Sequence, residues 1–392
     1  MKLLSRFSII LIVAVMFSGV VPTKTFGEEG GVKLADDSSS AILIERDTGE
    51  ILFEKNSNEQ LPPASMTKIM TMLLIMESLE NGKISLDEQV RTSERAASMG
   101  GSQIFLEPGE EMSVEEMLKG IAIASGNDAS VAMAEHLAGS EEEFVNMMND
   151  KAKELGLQDT NFVNSNGLPA ENHYTTANDL AMMSKELLKY ESITDFTSMY
   201  EDYLRADSDN KFWLVNTNKL VKFYPGVDGL KTGYTREAKY CLTATANKKD
   251  MRVIAVVMGA STPKDRNRQI TEMLDYAYSQ YQLHKQHDRG TVIGQVKVSK
   301  GAKNKVDAVT AENVSMLTKK GESLDELTEE INWKKDIKAP LNQGDAVGTL
   351  TVKVDQKILS EIPLVVSEDV DEASLWQLFK RTASVLVGKE AS

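Results

Sequence analysis

The chain has 392 residues and a formal net charge of −15, long enough for two or three domains, and this acidity with no basic patch excludes a nucleic-acid partner. A single cysteine, Cys241, rules out an intramolecular disulfide, so an exported form must stand on its hydrophobic core. The four histidines, His136, His173, His284 and His287, form no zinc-like cluster, and no glycine-rich phosphate loop stands out, so neither metal nor cofactor is expected.

In chain order, residues 1–27 read as a secretory signal. Lys2 and Arg6 precede an apolar core from Ser8 to Val21, and Thr25-Phe26-Gly27 supplies a small-residue cleavage site. The core is shorter than the roughly 20 apolar residues of a membrane span, which favours removal over anchoring. Ser40 to Lys55 then predicts a β-hairpin, with two apolar runs flanking Asp47-Thr48-Gly49. From Ala64 to about Lys189 helical periodicity dominates, and from Tyr203 to Ala260 strands return, notably over Arg252 to Met258. Ile270 to Tyr281 reads as a closing helix. Strands at both ends with helices between predict an α/β domain with a helical insertion and a cleft at their junction.

His284 and His287 lie in a hydrophilic run that reads as a linker. Beyond it, Val292 to Val298, Gly348 to Val354 and Ile358 to Val366 predict a small all-β domain that carries no chemical motif. The last stretch, from Glu368, is an amphipathic helix in pattern. Leu375, Trp376, Leu378, Phe379, Val385 and Leu386 share one broad face, with Lys380 and Arg381 largely opposite. From pattern alone, a helix lying in a membrane interface and one docked on the β domain are evenly matched.

Three short motifs fall within the first domain: Ser65-Met66-Thr67-Lys68, Ser125-Gly126-Asn127 and Lys231-Thr232-Gly233. A serine hydroxyl needs a neighbouring base, and Lys68 stands three residues on, on the same face if the segment is helical. Two other S-x-x-K matches fail on context. Ser208 sits in a strongly polar run, and Pro263 would break the turn that Ser261 and Lys264 require. Ser65 follows Pro62-Pro63 and precedes a long apolar run, which places it where helix N–H groups favour negative charge. Taken singly, Ser125-Gly126-Asn127 reads more readily as a helix cap and Lys231-Thr232-Gly233 as an exposed turn. Their joint occurrence in this order points to acyl transfer without histidine.

With Asn164-Ser165-Asn166-Gly167-Leu168, His173-Tyr174-Thr175-Thr176-Ala177 and Gly229 to Thr235 added, the chain from about Ser40 onward resembles a low-molecular-weight penicillin-binding protein. These are serine D-alanyl-D-alanine carboxypeptidases, and the likeness is strongest to the sporulation-associated ones of endospore-forming bacteria. The resemblance implies a β-lactamase/transpeptidase-like catalytic domain over 28–285, an all-β domain over 286–367 and a membrane-associating helix over 368–392. It implies Ser65 as nucleophile, Lys68 as its base, Ser125 and Asn127 as further catalytic residues, and Lys231, Thr232, Gly233 and Tyr234 on the substrate. Backbone N–H groups of Ser65 and Tyr234 would form the oxyanion hole. An arginine for the substrate carboxylate matches Arg266, with Arg268 competing. The implied partners are peptidoglycan stem peptides ending in D-Ala-D-Ala, β-lactams and, through the tail, the outer face of the cytoplasmic membrane. Rival readings are a serine β-lactamase, disfavoured because no deacylating glutamate can be placed and Gly126 replaces an aspartate, a D,D-endopeptidase, and a non-enzymatic wall-binding scaffold.

Overall fold

A computed structural model describes residues 33–206, 208–322, 327–354 and 357–379. The signal segment 1–27 and the end of the expected tail helix, from Lys380, lie outside the described residues.

Five strands form one antiparallel sheet: β1 (Ser40–Glu45), β2 (Ile51–Lys55), β3 (Val227–Thr235), β4 (Lys239–Lys248) and β5 (Met251–Ala260). Their order is β2-β1-β5-β4-β3, so the N-terminal hairpin joins the late strands and β3 is left at an edge. Both sheet faces are covered, which explains why β1 and β5 are almost continuously apolar. Ile42 and Ile44, with Ile254, Val256 and Met258, face the helical insertion. Their alternates Ala41 and Leu43, with Val253, Ala255 and Val257, face Ile270, Met273 and Leu274 of the closing helix. A one-residue slip would exchange the two faces, so the register is pinned from both sides.

The insertion contains α1 (Lys68–Glu80), α2 (Val114–Ala122), α3 (Asn127–Ala138), α4 (Glu141–Glu154) and α5 (Ala177–Leu187). Ile69 through Met76 of α1 are all buried, as a helix apolar on every side must be. α2 carries a capping box between Ser113 and Glu116. Gly120 lets α2 pack tightly, since a Cβ there would lie 2.9 Å from Ile104 Cδ1. The closing helix, α6 (Pro263–Gln280), starts seven residues earlier than the apolar pattern suggested. Its first turns are polar, but Thr262 caps it and Pro263 takes the first helical position.

The hydrophilic run expected as a linker is instead a strand, β6 (Tyr281–His287), paired with β9 (Val314–Lys319). Tyr281 and Leu283 pack against the α6 core. His284 bonds Thr318 and His287 bonds Glu329. The remaining strands of the second domain form a five-stranded sheet in the order β7-β8-β12-β11-β10. These are β7 (Val292–Lys297), β8 (Lys305–Thr310), β10 (Leu327–Trp333), β11 (Ala346–Val354) and β12 (Lys357–Val366). Residues beyond Glu368 still belong to this domain: Val370 is in its core and pairs with Leu341. The terminal helix begins only after Ser374, whose hydroxyl accepts from Gln377 N–H while Gln377 Oε1 accepts from Ser374 N–H.

Candidate active site

Ser65 lies in a 3-10 turn, Ala64–Thr67, that leads directly into α1. The turn is entered through Ala64 at φ +49°, a conformation that costs an alanine energy and persists only under outside restraint. Two glycines provide it. At Gly167 (φ +88°) a Cβ would stand 1.9 Å from the Ala64 carbonyl oxygen, and at Gly233 one would stand 2.9 Å from the Pro63 oxygen. The segment around Gly167 and the edge strand β3 therefore clamp the serine turn between them, at distances only glycine allows.

Lys68, the first residue of α1, is fully buried. Its Nζ lies 2.6 Å from Asn127 Oδ1, 2.6 Å from the Asn166 carbonyl and 3.2 Å from Ser65 Oγ. Both short contacts are to oxygens that can only accept. A neutral amine has two N–H donors and one lone pair, so with both donors committed the lone pair is left for the serine hydroxyl. Burial pushes the Lys68 ammonium well below its ordinary pKa, the positive charge of Lys231 lowers it further, and Asp128 opposes the shift. Among the described residues, no carboxylate bonds Lys68.

Ser125 and Asn127 sit at the turn between α2 and α3. Gly126 is the N-cap and makes no side-chain cap bond, so the capping reading of this motif does not hold. Ser125 is buried in the left-handed region at φ +65°. Asn127 bridges the site, holding Lys68 through Oδ1 while Nδ2 donates to the Gly100 carbonyl at 2.7 Å. Neighbouring Asp128 accepts from the backbone N–H groups of Ile104 and Leu106, fixing the loop that leads into α2.

Lys231, Thr232 and Gly233 lie on β3, with Lys231 buried and Thr232 bonded to Thr217 Oγ1 at 2.7 Å. Burial, and then the guanidinium of Arg266, lower Lys231 to a pKa of about 7. Tyr234 is exposed and stacks on Tyr240 with ring centroids 4.4 Å apart. The two candidate arginines are distinguished by position. Arg266 is buried and within electrostatic reach of Lys231. Arg268 points outward, paired with Asp37 and Glu272. Ser208 lies on an exposed turn with its hydroxyl bonded to the Arg205 carbonyl, and Ser261 is exposed before α6, so neither joins the site. Cys241 is buried opposite Gly233, and burial raises its thiol to a pKa of about 11, which fits a packed and unreactive group.

The Asn166 carbonyl, Gly167, Thr67 and His173 also belong to the surroundings of the serine turn, with no role marked for them by the three motifs. The first acts through its main chain and Gly167 through the side chain it lacks, so neither leaves a residue-type signal. Beside the serine turn, a cavity of about 280 Å³ is lined by Pro63, Ala64, Gly167, Leu168, His173 and Thr235 among others.

The geometry is that of a serine acyl-transfer site in which a buried lysine stands where histidine is more often found. The profile of the Peptidase_S11 family, D-alanyl-D-alanine carboxypeptidase, matches residues 30–262, and that of the penicillin-binding protein 5 C-terminal domain matches residues 281–372. The chain belongs to the D-alanyl-D-alanine carboxypeptidase family of serine peptidases. It is 60% identical over 375 residues to the D-alanyl-D-alanine carboxypeptidase DacF of Bacillus subtilis (strain 168), covering 95% of this chain and 96% of that one. It is 33% identical to DacC of Escherichia coli (strain K12), covering 91% of this chain and 90% of the other. Among solved structures, penicillin binding protein 5 from Haemophilus influenzae superposes with a TM-score of 0.69 at 29% identity, covering 88% of this chain and all of that one. The transpeptidase-like catalytic domain followed by an all-β domain is thus the family's architecture.

Proposed function

We propose that Ser65 forms the acyl-enzyme of a D,D-carboxypeptidase that removes the terminal D-alanine from peptidoglycan stem pentapeptides, and that penicillins acylate the same serine. The observation that carries this reading is the buried Lys68 Nζ 3.2 Å from Ser65 Oγ, with its two short contacts to the acceptor oxygens of Asn127 and Asn166, so that in neutral Lys68 the lone pair is left for Ser65 Oγ. In this mechanism neutral Lys68 takes the Ser65 proton as Oγ attacks the carbonyl between the two D-alanines. The N–H groups of Ser65 and Tyr234 receive the developing oxyanion. Each such donor is worth about 3–4 kcal/mol where one has been removed in other serine peptidases. As the tetrahedral intermediate collapses, the proton held by Lys68 passes to the departing amine and D-alanine leaves, after which water hydrolyses the ester. Asn127 holds Lys68, and Ser125, buried at the same turn, completes the proton path. Lys231, Thr232 and Arg266 receive the terminal carboxylate, Arg266 being favoured over Arg268 because Arg268 is already paired on the outer surface.

Among the described residues no carboxylate bonds Lys68, whereas class A β-lactamases position the water for their fast deacylation with a glutamate, which supports a carboxypeptidase over a β-lactamase. Work on wall peptides requires export, for which the segment 1–27 provides the signal. Membrane association through the tail is supported by the exposed side chains of Leu375, Trp376 and Phe379. Among the described residues, no helix is long and apolar enough to cross a membrane. Turnover of a D-Ala-D-Ala-ended peptide, a cross-linked peptide dimer and a penicillin tests the assignment. Release of D-alanine from the first, with slow loss of penicillin, is the expected pattern; preferential cleavage of the dimer would make it an endopeptidase.

A further inference from the structure

Behind the Ser65 turn runs a chain of hydrogen bonds that ends on the same peptide group the mechanism uses from its other side. Val163 N–H donates to His173 Nδ1 at 2.9 Å, which makes Nε2 the proton-bearing nitrogen of the neutral ring. Burial holds His173 down to a pKa of about 4, so the ring is neutral at ordinary working pH. Nε2 lies 2.8 Å from Thr67 Oγ1, and that hydroxyl donates to the Ala64 carbonyl at 2.9 Å. Thr67 and His173 are both buried, so these bonds face little competition from water. The Ala64 carbonyl and the Ser65 N–H belong to one planar trans peptide and point in opposite directions. Whatever fixes that carbonyl also fixes where the Ser65 N–H is aimed.

We propose that His173 is a positioning residue which, through Thr67, holds the Ala64–Ser65 peptide so that the Ser65 N–H points at the oxyanion. It moves no proton. The strained φ of Ala64 gives the relay its purpose, because a turn at +49° relaxes unless its carbonyl is held. Gly167 presses on the same carbonyl by contact and Thr67 restrains it by direction, so the two restraints are complementary. This inference rests on the Ser65 acyl-enzyme reading proposed above.

The test uses Thr67→Val, His173→Phe and His173→Gln in the full chain, with the unmutated enzyme and Ser65→Ala alongside. Valine keeps the shape of threonine and removes the hydroxyl; phenylalanine keeps a ring and removes both ring nitrogens. Each should lower kcat roughly tenfold to a hundredfold with KM within about twofold, less than the ~10²–10³ of deleting an oxyanion donor. The double variant should be little worse than either single one, because both cut one chain. Glutamine, which can still offer an N–H to Thr67, should recover most of the loss. Affinity for a peptide boronic acid, whose adduct on Ser65 presents an oxyanion-like oxygen, should fall by the same factor as kcat/KM. Unchanged kcat, a change in KM alone, or losses that follow the melting temperature and are not recovered by glutamine would overturn the relay. Penicillin labelling of Ser65→Ala would instead overturn the acyl-enzyme reading, so the two failures are distinguishable.

Discussion

A lysine can act as a base only if it reaches the serine without its proton, and two features of Lys68 favour that. Burial removes the hydration that stabilises an ammonium, and Lys231 adds a repelling charge. Lys68→Arg should therefore be nearly inactive although it keeps the charge, because arginine does not give up its proton. Penicillin acylation rates measured by stopped flow check this, and near-normal acylation would reduce Lys68 to an electrostatic role. In the unmutated enzyme the acylation rate should rise with pH as the depressed lysine loses its proton. The same burial has a cost in stability. Lys231 has a pKa of about 7 folded against 10.5 in the unfolded chain, so the unfolded state binds more protons between those values. Stability from this group thus rises with pH across that window, and its penalty is full below it. Lys231→Met should raise the melting temperature near pH 6, and the gain should shrink toward pH 10. A gain that grew with pH would contradict the assigned shift.

At the scale of elements, the site is a junction: one turn before α1, one between α2 and α3, and the edge strand β3. Its precision depends on close approach, which Gly167→Ala tests. The new methyl group would meet the Ala64 carbonyl at 1.9 Å with backbone at φ +88°, so both contact and conformation are unfavourable. Strain alone costs about 1–3 kcal/mol, and the expected result is a lower melting temperature with a loss of kcat larger than that loss of stability explains. Sequence and structure part ways at related places. The helix α1 and strands β1 and β5 were legible because their apolar runs have one reading once both faces are known to be covered. Lys68 was legible because S-x-x-K at a helix start fixes two side chains relative to each other. The start of α6 and the strand β6 were not, because their residues are polar and only the partner strand β9 and the α6 core decide their state. His173 was visible as a residue, but its bond to Thr67 joins positions far apart in the chain, a pairing that no local pattern encodes.

For the whole molecule, the second domain is tied to the first by bonds as well as by chain. Asp47, at the tip of the first hairpin, accepts from Asn313 Nδ2 at 3.0 Å, and Lys189 pairs with Glu312 at 3.0 Å. The end of this domain sets where a tail deletion must be made. Val370 is 1% exposed, so a cut before Glu368 would open the β-domain core. A stop after Ala373 removes the helical residues from Leu375 and everything after them while leaving Val370 in the core. That truncation should release the mature enzyme from membranes, with unchanged hydrolysis of small peptides and an unchanged melting temperature, as read by sedimentation with vesicles. A truncated protein that still sediments, or one that melts earlier, would show the helix to be packed on its own domain.

In the proposed mechanism one serine, Ser65, carries the acyl group. Mass spectrometry of the protein after brief exposure to penicillin locates that group directly. A single penicilloyl adduct is expected on the peptide containing Ser65, absent from Ser65→Ala and unchanged in Ser208→Ala, with D-alanine release following the same pattern. An adduct that persists in Ser65→Ala, or that maps to another serine, would contradict the mechanism.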